Sequence, residues 1–317
     1  MQHSADVDLE DVMDRAEERG GGPVSGTSSS SSASLEERRA LAEHLDDPLN
    51  RYYRYPAARA LLRIAGGLPL RPDHITYLHT ATGILGAAVM AVSTTRTAMV
   101  VSFVLLEIRM ILDCYDGVLA RAKKLSSPRG RTLDELGDAV AYIAVCIGMN
   151  IHLHRAHPDT PVQLFVLLGM VILAAGAMSG HAYDFYKRRI GSALKDGRDA
   201  IGEELDQKHE LVRAGTARWI TRFGIWFDRW QVRLYEPHYP GGDAVGTVVA
   251  RSHTKGVRFL TRLIGFISWD NVLGMISLGI LLDRVLEVEL IGLAYGIVMF
   301  TTARVTIWRV LGRRGHS

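Results

Sequence analysis

The sequence predicts an all-α, polytopic membrane protein: six transmembrane helices, an N-terminal interfacial helix and a cytoplasmic helical insert. Three observations carry this. The 317-residue chain is 48% hydrophobic and 22% charged, and the two kinds of residue fall in separate blocks, as in membrane spans with soluble appendages. Six apolar runs, 75–92, 98–120, 134–152, 162–183, 260–282 and 290–310, approach the roughly 20 residues that cross a bilayer. Small residues recur inside them, as at 82–88 and 174–180, which lets helices approach closely in lipid.

Residues 1–47 read as a disordered acidic and serine-rich tail. Charges alternate at its start and a Gly/Ser run fills 20–34, so it cannot bury enough apolar surface to offset its ordering entropy. Residues 35–45 could form a short helix with little to hold it. No apolar core follows the first residues, so no cleavable signal peptide is expected. Residues 48–72 turn aromatic and basic, with Tyr52, Tyr53 and Tyr55 among Arg51, Arg54, Arg59 and Arg63. Tyrosine and arginine beside apolar residues suit the headgroup layer, hence the interfacial helix. Pro72 then breaks the chain just before the first apolar run.

Residues 73–186 carry the first four spans, 187–258 the insert, and 259–317 the last two spans with a basic end. One set of loops holds Lys123, Lys124, Arg129 and Arg131, then Lys187, Arg188 and Arg189, then Arg309, Arg313 and Arg314. The opposite set has only Arg96, Arg155 and Arg284, with Asp283, Glu287 and Glu289 beside the last. The positive-inside rule makes the first set cytoplasmic; an even number of spans then places both termini there, in the cell inner membrane. In the insert, Trp219, Phe223, Trp226, Phe227, Trp230 and Leu234 recur at helical spacing with Arg218, Arg222, Arg229 and Arg233 between them. We expect a helix in the interface, aromatics on one side and arginines on the other. The net charge of +3 argues against a nucleic-acid partner. His152, His154 and His157 read as a solvated outer loop, and two cysteines, Cys114 and Cys146, give no disulfide framework.

The chemistry concentrates between Asp113 and Asp138. Asp113 and Asp116 are spaced i,i+3 near the end of one apolar helix; Asp134 and Asp138 are spaced i,i+4 at the opening of the next. Each pair lies on one helical face. Carboxylates at a helix C-terminus oppose its dipole, and at a membrane edge they are costly unless paired. Two such placements in succession call for a compensating cation. Oxygens converging from two helices suit Mg²⁺ or Mn²⁺, one ion or two. Arg109 shares the face of Asp113 and Asp116, where it either pairs with Asp113 one turn on or receives an anionic acceptor.

The full pattern D-x2-D-G-x2-A-R-x8-G-x3-D-x3-D, carried by Asp113, Asp116, Gly117, Ala120, Arg121, Gly130, Asp134 and Asp138, resembles the signature of the CDP-alcohol phosphotransferase (phosphatidyltransferase) family at all eight positions. The resemblance implies divalent metal on Asp113, Asp116, Asp134 and Asp138. It implies a nucleotide lying against Gly117, Ala120 and Gly130, and Arg121 on a phosphate. Asp73 and Thr76, in the Pro-polar-x-x-Thr element opening the first span, are weaker nucleotide-site candidates on the same ground. Asp138 would take the proton from the acceptor hydroxyl, CMP would leave, and a homodimer is the expected assembly.

The donor expected for a site open to lipid is CDP-diacylglycerol. The acceptor stays open. Arg109, Lys187, Arg188 and Arg189 favour an inositol phosphate. Glycerol 3-phosphate is weakened by Ala139, where such relatives often carry Lys; serine is a further option. Ser127-Pro128-x-Gly130 also resembles choline and ethanolamine phosphotransferases, which act on diacylglycerol. A cation transporter using intramembrane carboxylates is the reading from another class, although transport needs no phosphate-binding arginine.

Overall fold

The computed structural model describes residues 33–312. Among these residues every regular element is a helix. The first 32 residues of the expected tail, and Arg313 and Arg314, lie outside the described residues.

Residues 35–45, expected within the tail, are helical: α1 (Leu35–Ala42) and a short 3-10 turn, Glu43–Leu45. Ser34 closes a reciprocal capping box with Glu37, satisfying two orphan donors of the first turn. Ala42 and Leu45 bury with Ile190 and Leu194 in one apolar cluster. That tertiary contact is what local sequence could not supply. A π-turn at Asn50–Arg54 leads into α2 (Tyr55–Ala65). Tyr52 and Tyr53 are exposed, but Arg54 is 1% exposed. It donates to Asn50 Oδ1 at 3.1 Å, and Asn50 Nδ2 donates to Asp270 Oδ2 at 2.7 Å. A buried guanidinium needs such acceptors, so Arg54 belongs to the packed interior.

The site is built by α3 (Pro72–Val92), α4 (Arg96–Ala122) and α5 (Pro128–Ala156). Glycine lets α5 press onto α3: a Cβ at Gly137 would lie 2.5 Å from Thr80 Oγ1, and one at Gly148 would lie 2.5 Å from the Ala87 carbonyl oxygen. α6 (Val162–Asp196) follows. It runs unbroken through the expected 186/187 boundary and ends where Gly197 takes φ 65°, the usual left-handed stop. The insert then forms α7 (Ala200–Arg213), α8 (Trp219–Tyr235) and α9 (Ala244–Arg251), and the chain closes with α10 (Lys255–Phe266), α11 (Trp269–Leu282) and α12 (Val285–Val310).

Five candidate spans are long and apolar enough to cross a membrane: Pro72–Val92, Pro128–Ala156, Val162–Asp196, Lys255–Leu282 and Val285–Val310. The sixth expected run, 98–120, is helical in α4, but Glu107, Arg109 and Asp113 make it too polar to qualify on composition. The fourth candidate is interrupted at Ile267 and Ser268, where Ser268 leaves helical geometry and caps α11 through Asp270 N–H. The polar Ser268, Asp270 and Asn271 are its signal in a run that is largely apolar.

Two further expectations are corrected. His152 is no loop residue: it lies in α5 and is 3% exposed. The faces of α8 also differ from the expected division. Ile220, Thr221, Gly224, Phe227, Asp228, Gln231 and Tyr235 are its buried side, whereas Trp219 and Trp226 are exposed together with Arg222, Arg229 and Arg233. Tryptophan and arginine therefore share the outward side. At 100° per residue they fall in one arc, and Ile220, Gly224 and Tyr235 are what set the inner one.

Candidate active site

Ser127 caps α5 by accepting from Gly130 N–H at 3.0 Å, so the helix starts at Pro128 rather than at Asp134. Asp134 and Asp138 are thereby interior helical residues and not N-terminal caps. Both aim at α4, whose Asp113 and Asp116 face them, and α3 lies across the junction.

His79 of α3 sits at the centre, fully buried. Its Nε2 is 3.3 Å from Asp134 Oδ1 and 4.0 Å from Asp113 Oδ1; its Nδ1 is 3.9 Å from Asp138 Oδ1. Thr76, one turn earlier, donates to Asp116 Oδ2 at 3.2 Å. Arg109 Nη2 donates to Asp138 Oδ1 at 2.5 Å. The helix-neighbour pairing of Arg109 with Asp113 is thus replaced by a pairing across to α5, and the guanidinium, 4% exposed, does not stand free for an anion.

Two overlapping sets could hold a cation: His79, Asp113 and Asp138, and His79, Asp116 and Asp134, each with ligand atoms within 4.8 Å of one another. The residues fit a hard divalent ion. Four carboxylates converge on one ion-paired arginine and one imidazole, and His79 Nδ1 is buried without a hydrogen bond. Negative charge in this excess, away from bulk water, is relieved by a metal ion or by protons, and oxygen-rich sets select Mg²⁺ or Mn²⁺.

From Asp116 and Asp134 a cleft of about 520 Å³ opens outward. Its bundle side presents Asp73, Thr76, Gly117, Ala120, Arg121 and Gly130. A Cβ at Gly117 would meet only the Arg121 guanidinium, at 3.5 Å, so that surface is open for a ligand to lie against. Asp73 is held 3.8 Å from Arg129. Of the ten residues expected to matter, eight line this cleft, and Asp113 and Asp138 sit behind it around His79.

Two parts of the site escaped sequence reasoning. His79 is one of two histidines of α3, with His74 in the first turn, and a histidine inside an apolar stretch ordinarily marks core; its signal is the one-turn spacing from Thr76. The other is α7, whose Glu203, Glu204 and Gln207 form the opposite wall of the cleft. Conversely, the basic run expected to receive an acceptor phosphate is engaged elsewhere. Lys187 is 2.7 Å from Asp46, Arg188 is 2.7 Å from Glu204, and Arg189 pairs with Asp199 and Glu236.

Residues 70–193 match a family model described as CDP-alcohol phosphatidyltransferase. A curated protein of Rubrobacter xylanophilus, named bifunctional IPC transferase and DIPP synthase, is 31% identical over 115 residues. The alignment takes in 35% of this chain and 26% of that protein, so the chain spans about a quarter of the relative's length.

Proposed function

Residues 70–193 are a domain of the CDP-alcohol phosphatidyltransferase family, and on that premise we propose that the protein transfers a phosphatidyl group from a CDP-alcohol, CDP-diacylglycerol, to a hydroxyl acceptor with release of CMP. The observation that carries this reading is one continuous cleft with carboxylates at its deep end and Gly117, Ala120 and Arg121 along its side. That geometry suits a pyrophosphate joined to a nucleoside.

Asp113, Asp116, Asp134 and Asp138 would hold Mg²⁺ or Mn²⁺, which when bound neutralises charge on the pyrophosphate and on departing CMP. The remaining work falls to the chain's own groups. Thr76 fixes Asp116 and His79 fixes Asp134, so both carboxylates are oriented before ligand arrives. Arg121 binds a phosphate oxygen of the donor. Gly117 and Ala120 let the nucleotide approach the backbone of α4. Asp138 accepts the proton of the acceptor hydroxyl, and Arg109 holds that carboxylate in place. The acceptor oxygen then bonds to the phosphorus bearing the lipid alcohol, and the bond from that phosphorus to CMP breaks.

An inositol phosphate acceptor retains only Arg109 from its supporting cations, and Arg109 is bonded to Asp138. The acceptor is therefore sought among small alcohols with and without phosphate, glycerol 3-phosphate, serine and inositol included, and with diacylglycerol tested against CDP-choline. Apolar α3, α5, α6 and α12 support a membrane location, and the Lys/Arg-rich loops support a cytoplasmic mouth. The homodimer remains a proposal from family resemblance.

The decisive experiment measures CMP release by the purified protein in nanodiscs across this panel, with and without Mn²⁺ or Mg²⁺. Metal-dependent CMP release with one donor–acceptor pair is expected. No CMP from any pair, with metal-coupled cation flux in sealed vesicles, overturns the proposal in favour of transport.

A further inference from the structure

Helix α7 lies in the stretch where the chain departs from the compact pattern of the resembled family, and its placement is set by charge. Lys208 is 0% exposed and bonds Asp228 of α8 at 2.7 Å and Glu204 one turn back at 3.0 Å. Glu204 also takes Arg188 of α6 at 2.7 Å and Arg131 of α5 at 3.0 Å. Arg188 lies in addition 3.5 Å from Asp184 and 3.7 Å from Asp228. Four helices are joined through one set of buried or half-buried charges. Removing one member of such a set leaves an uncompensated charge, so the set fixes position.

The neighbouring face of α7 is different. Glu203 and Gln207, one turn apart, are exposed and line the cleft. Glu203 has a loose contact with Arg198 at 3.8 Å, and Gln207 makes no hydrogen bond among the described residues. Neither side chain is needed to hold α7. Across the cleft stand Asp116, Arg121 and Asp134, which take the pyrophosphate in the proposed reading. A nucleoside attached to that pyrophosphate must extend away from the carboxylates, and about 520 Å³ is room for a ligand of nucleotide size.

Resting on the proposed donor reading, we propose that Glu203 and Gln207 of α7 recognise the nucleoside of the donor, so that the insert supplies its base selectivity. The chemistry discriminates. A glutamine amide offers one donor group and one acceptor and can match the paired edge of either pyrimidine. A carboxylate only accepts. It suits the exocyclic amine of cytosine and is repelled by the carbonyl oxygen that uracil has there. Gln207 thus contributes affinity and Glu203 contributes the preference for cytosine, since a wrong base leaves a desolvated carboxylate unpaired.

The test is calorimetric titration of CMP and UMP, each with Mn²⁺, into the full chain in nanodiscs, with thermal unfolding as the control for folding. Wild type is expected to prefer CMP. Gln207→Ala should weaken both nucleotides roughly tenfold, the loss of one to two hydrogen bonds. Glu203→Gln should weaken CMP and bring the CMP/UMP ratio toward one, with the unfolding temperature unchanged in both variants. If wild type binds CMP and both variants bind it equally well with the same ratio, α7 is not the reader and the donor assignment stands alone. If wild type binds no cytidine nucleotide with metal, this inference falls together with the donor reading.

Discussion

The Arg109 guanidinium on α4 donates to Asp138 on α5 across 2.5 Å, inside a helix interface where the arginine has almost no contact with solvent. The pair crosses between the helices that carry the acidic motif and leaves Asp113 free of its helix neighbour. Arg109 in this arrangement is a positioning residue for Asp138. Arg109→Met should lower kcat by about 100-fold while CMP affinity stays within a factor of two; Arg109→Lys should restore part of the loss. Steady-state kinetics with a CMP titration separate this from an acceptor site, which would appear as a raised acceptor KM at unchanged kcat.

Asp138 itself is the proposed proton acceptor. Asp138→Asn keeps the side-chain volume and its ability to accept from Arg109. With Asp113, Asp116 and Asp134 intact and the amide oxygen still able to face the ion, it should retain Mn²⁺ and CMP binding and lose 100-fold or more in turnover, the usual scale for a general base. Normal turnover in this variant would assign the proton to another group.

His79 makes its contribution through Asp134. Its Nε2 stands 3.3 Å from the carboxylate, and partners of metal-holding groups are typically worth 10–100-fold in metal affinity. His79→Gln should weaken Mn²⁺ by that factor, measured by titration followed by electron paramagnetic resonance. Unchanged Mn²⁺ affinity would limit the imidazole to packing.

The charge set that fastens α7 gives a stability prediction. Lys208→Met leaves buried Asp228 with only Arg188 at 3.7 Å, while Glu204 keeps Arg188 and Arg131, and should cost about 3 kcal/mol. Adding Asp228→Leu removes the under-paired carboxylate and should recover part of that loss, because an apolar pair can replace a buried ion pair at little net cost. Denaturant titrations of the single and double variants decide it; an additive loss would refute the pairing.

Asp47 supplies a pH dependence outside the spans. Burial first, and the Asp270 carboxylate second, push its acid group up to about 6 from an ordinary value of 3.8. The folded protein therefore holds this proton more tightly than the unfolded chain. Below pH 3.8 the group is neutral in both states and costs nothing. Stability falls as pH rises from about 4 to about 6, by on the order of 3 kcal/mol, and then levels off. Asp47→Asn, which can still accept from Asn50 N–H, should raise the unfolding temperature at pH 7.5 and leave it unchanged at pH 4. A gain of equal size at both pH values would mean that the carboxyl is not the cause.

Helical periodicity made much of this molecule legible. The i,i+3 and i,i+4 spacings put Asp113 with Asp116, and Asp134 with Asp138, each on one face of its own helix; that the two faces meet is set by the packing of α4 and α5 around His79. What stayed hidden depends on residues far apart in the chain. Residues 35–45 are ordered by burial against Ile190 and Leu194, and no local propensity reports that. Arg109 had two carboxylates within reach, and only the crossing of α4 and α5 selects Asp138. The buried side of α8 is set by Lys208 and Thr132, each of which a Cβ at Gly224 would approach to about 3.1 Å or less. The aromatic stripe alone favoured a different side. The helix break falls at Ser268, where Ser268, Asp270 and Asn271 are polar residues of a largely apolar run, a cap signal masked because the run as a whole is long enough to span.

The order in which the chain is synthesised gives the late wall of the cleft a meaning of its own. Ribosomes deliver the N-terminal part first, so every acidic residue of the motif is synthesised before Glu203, Glu204 and Gln207. A nascent chain halted ahead of Arg198 would own all four carboxylates proposed to hold metal, with Arg131 and Arg188 still lacking Glu204. On the readings proposed above, such a fragment would hold the carboxylates for a metal ion and lack the side chains that choose among nucleotides, which arrive with α7.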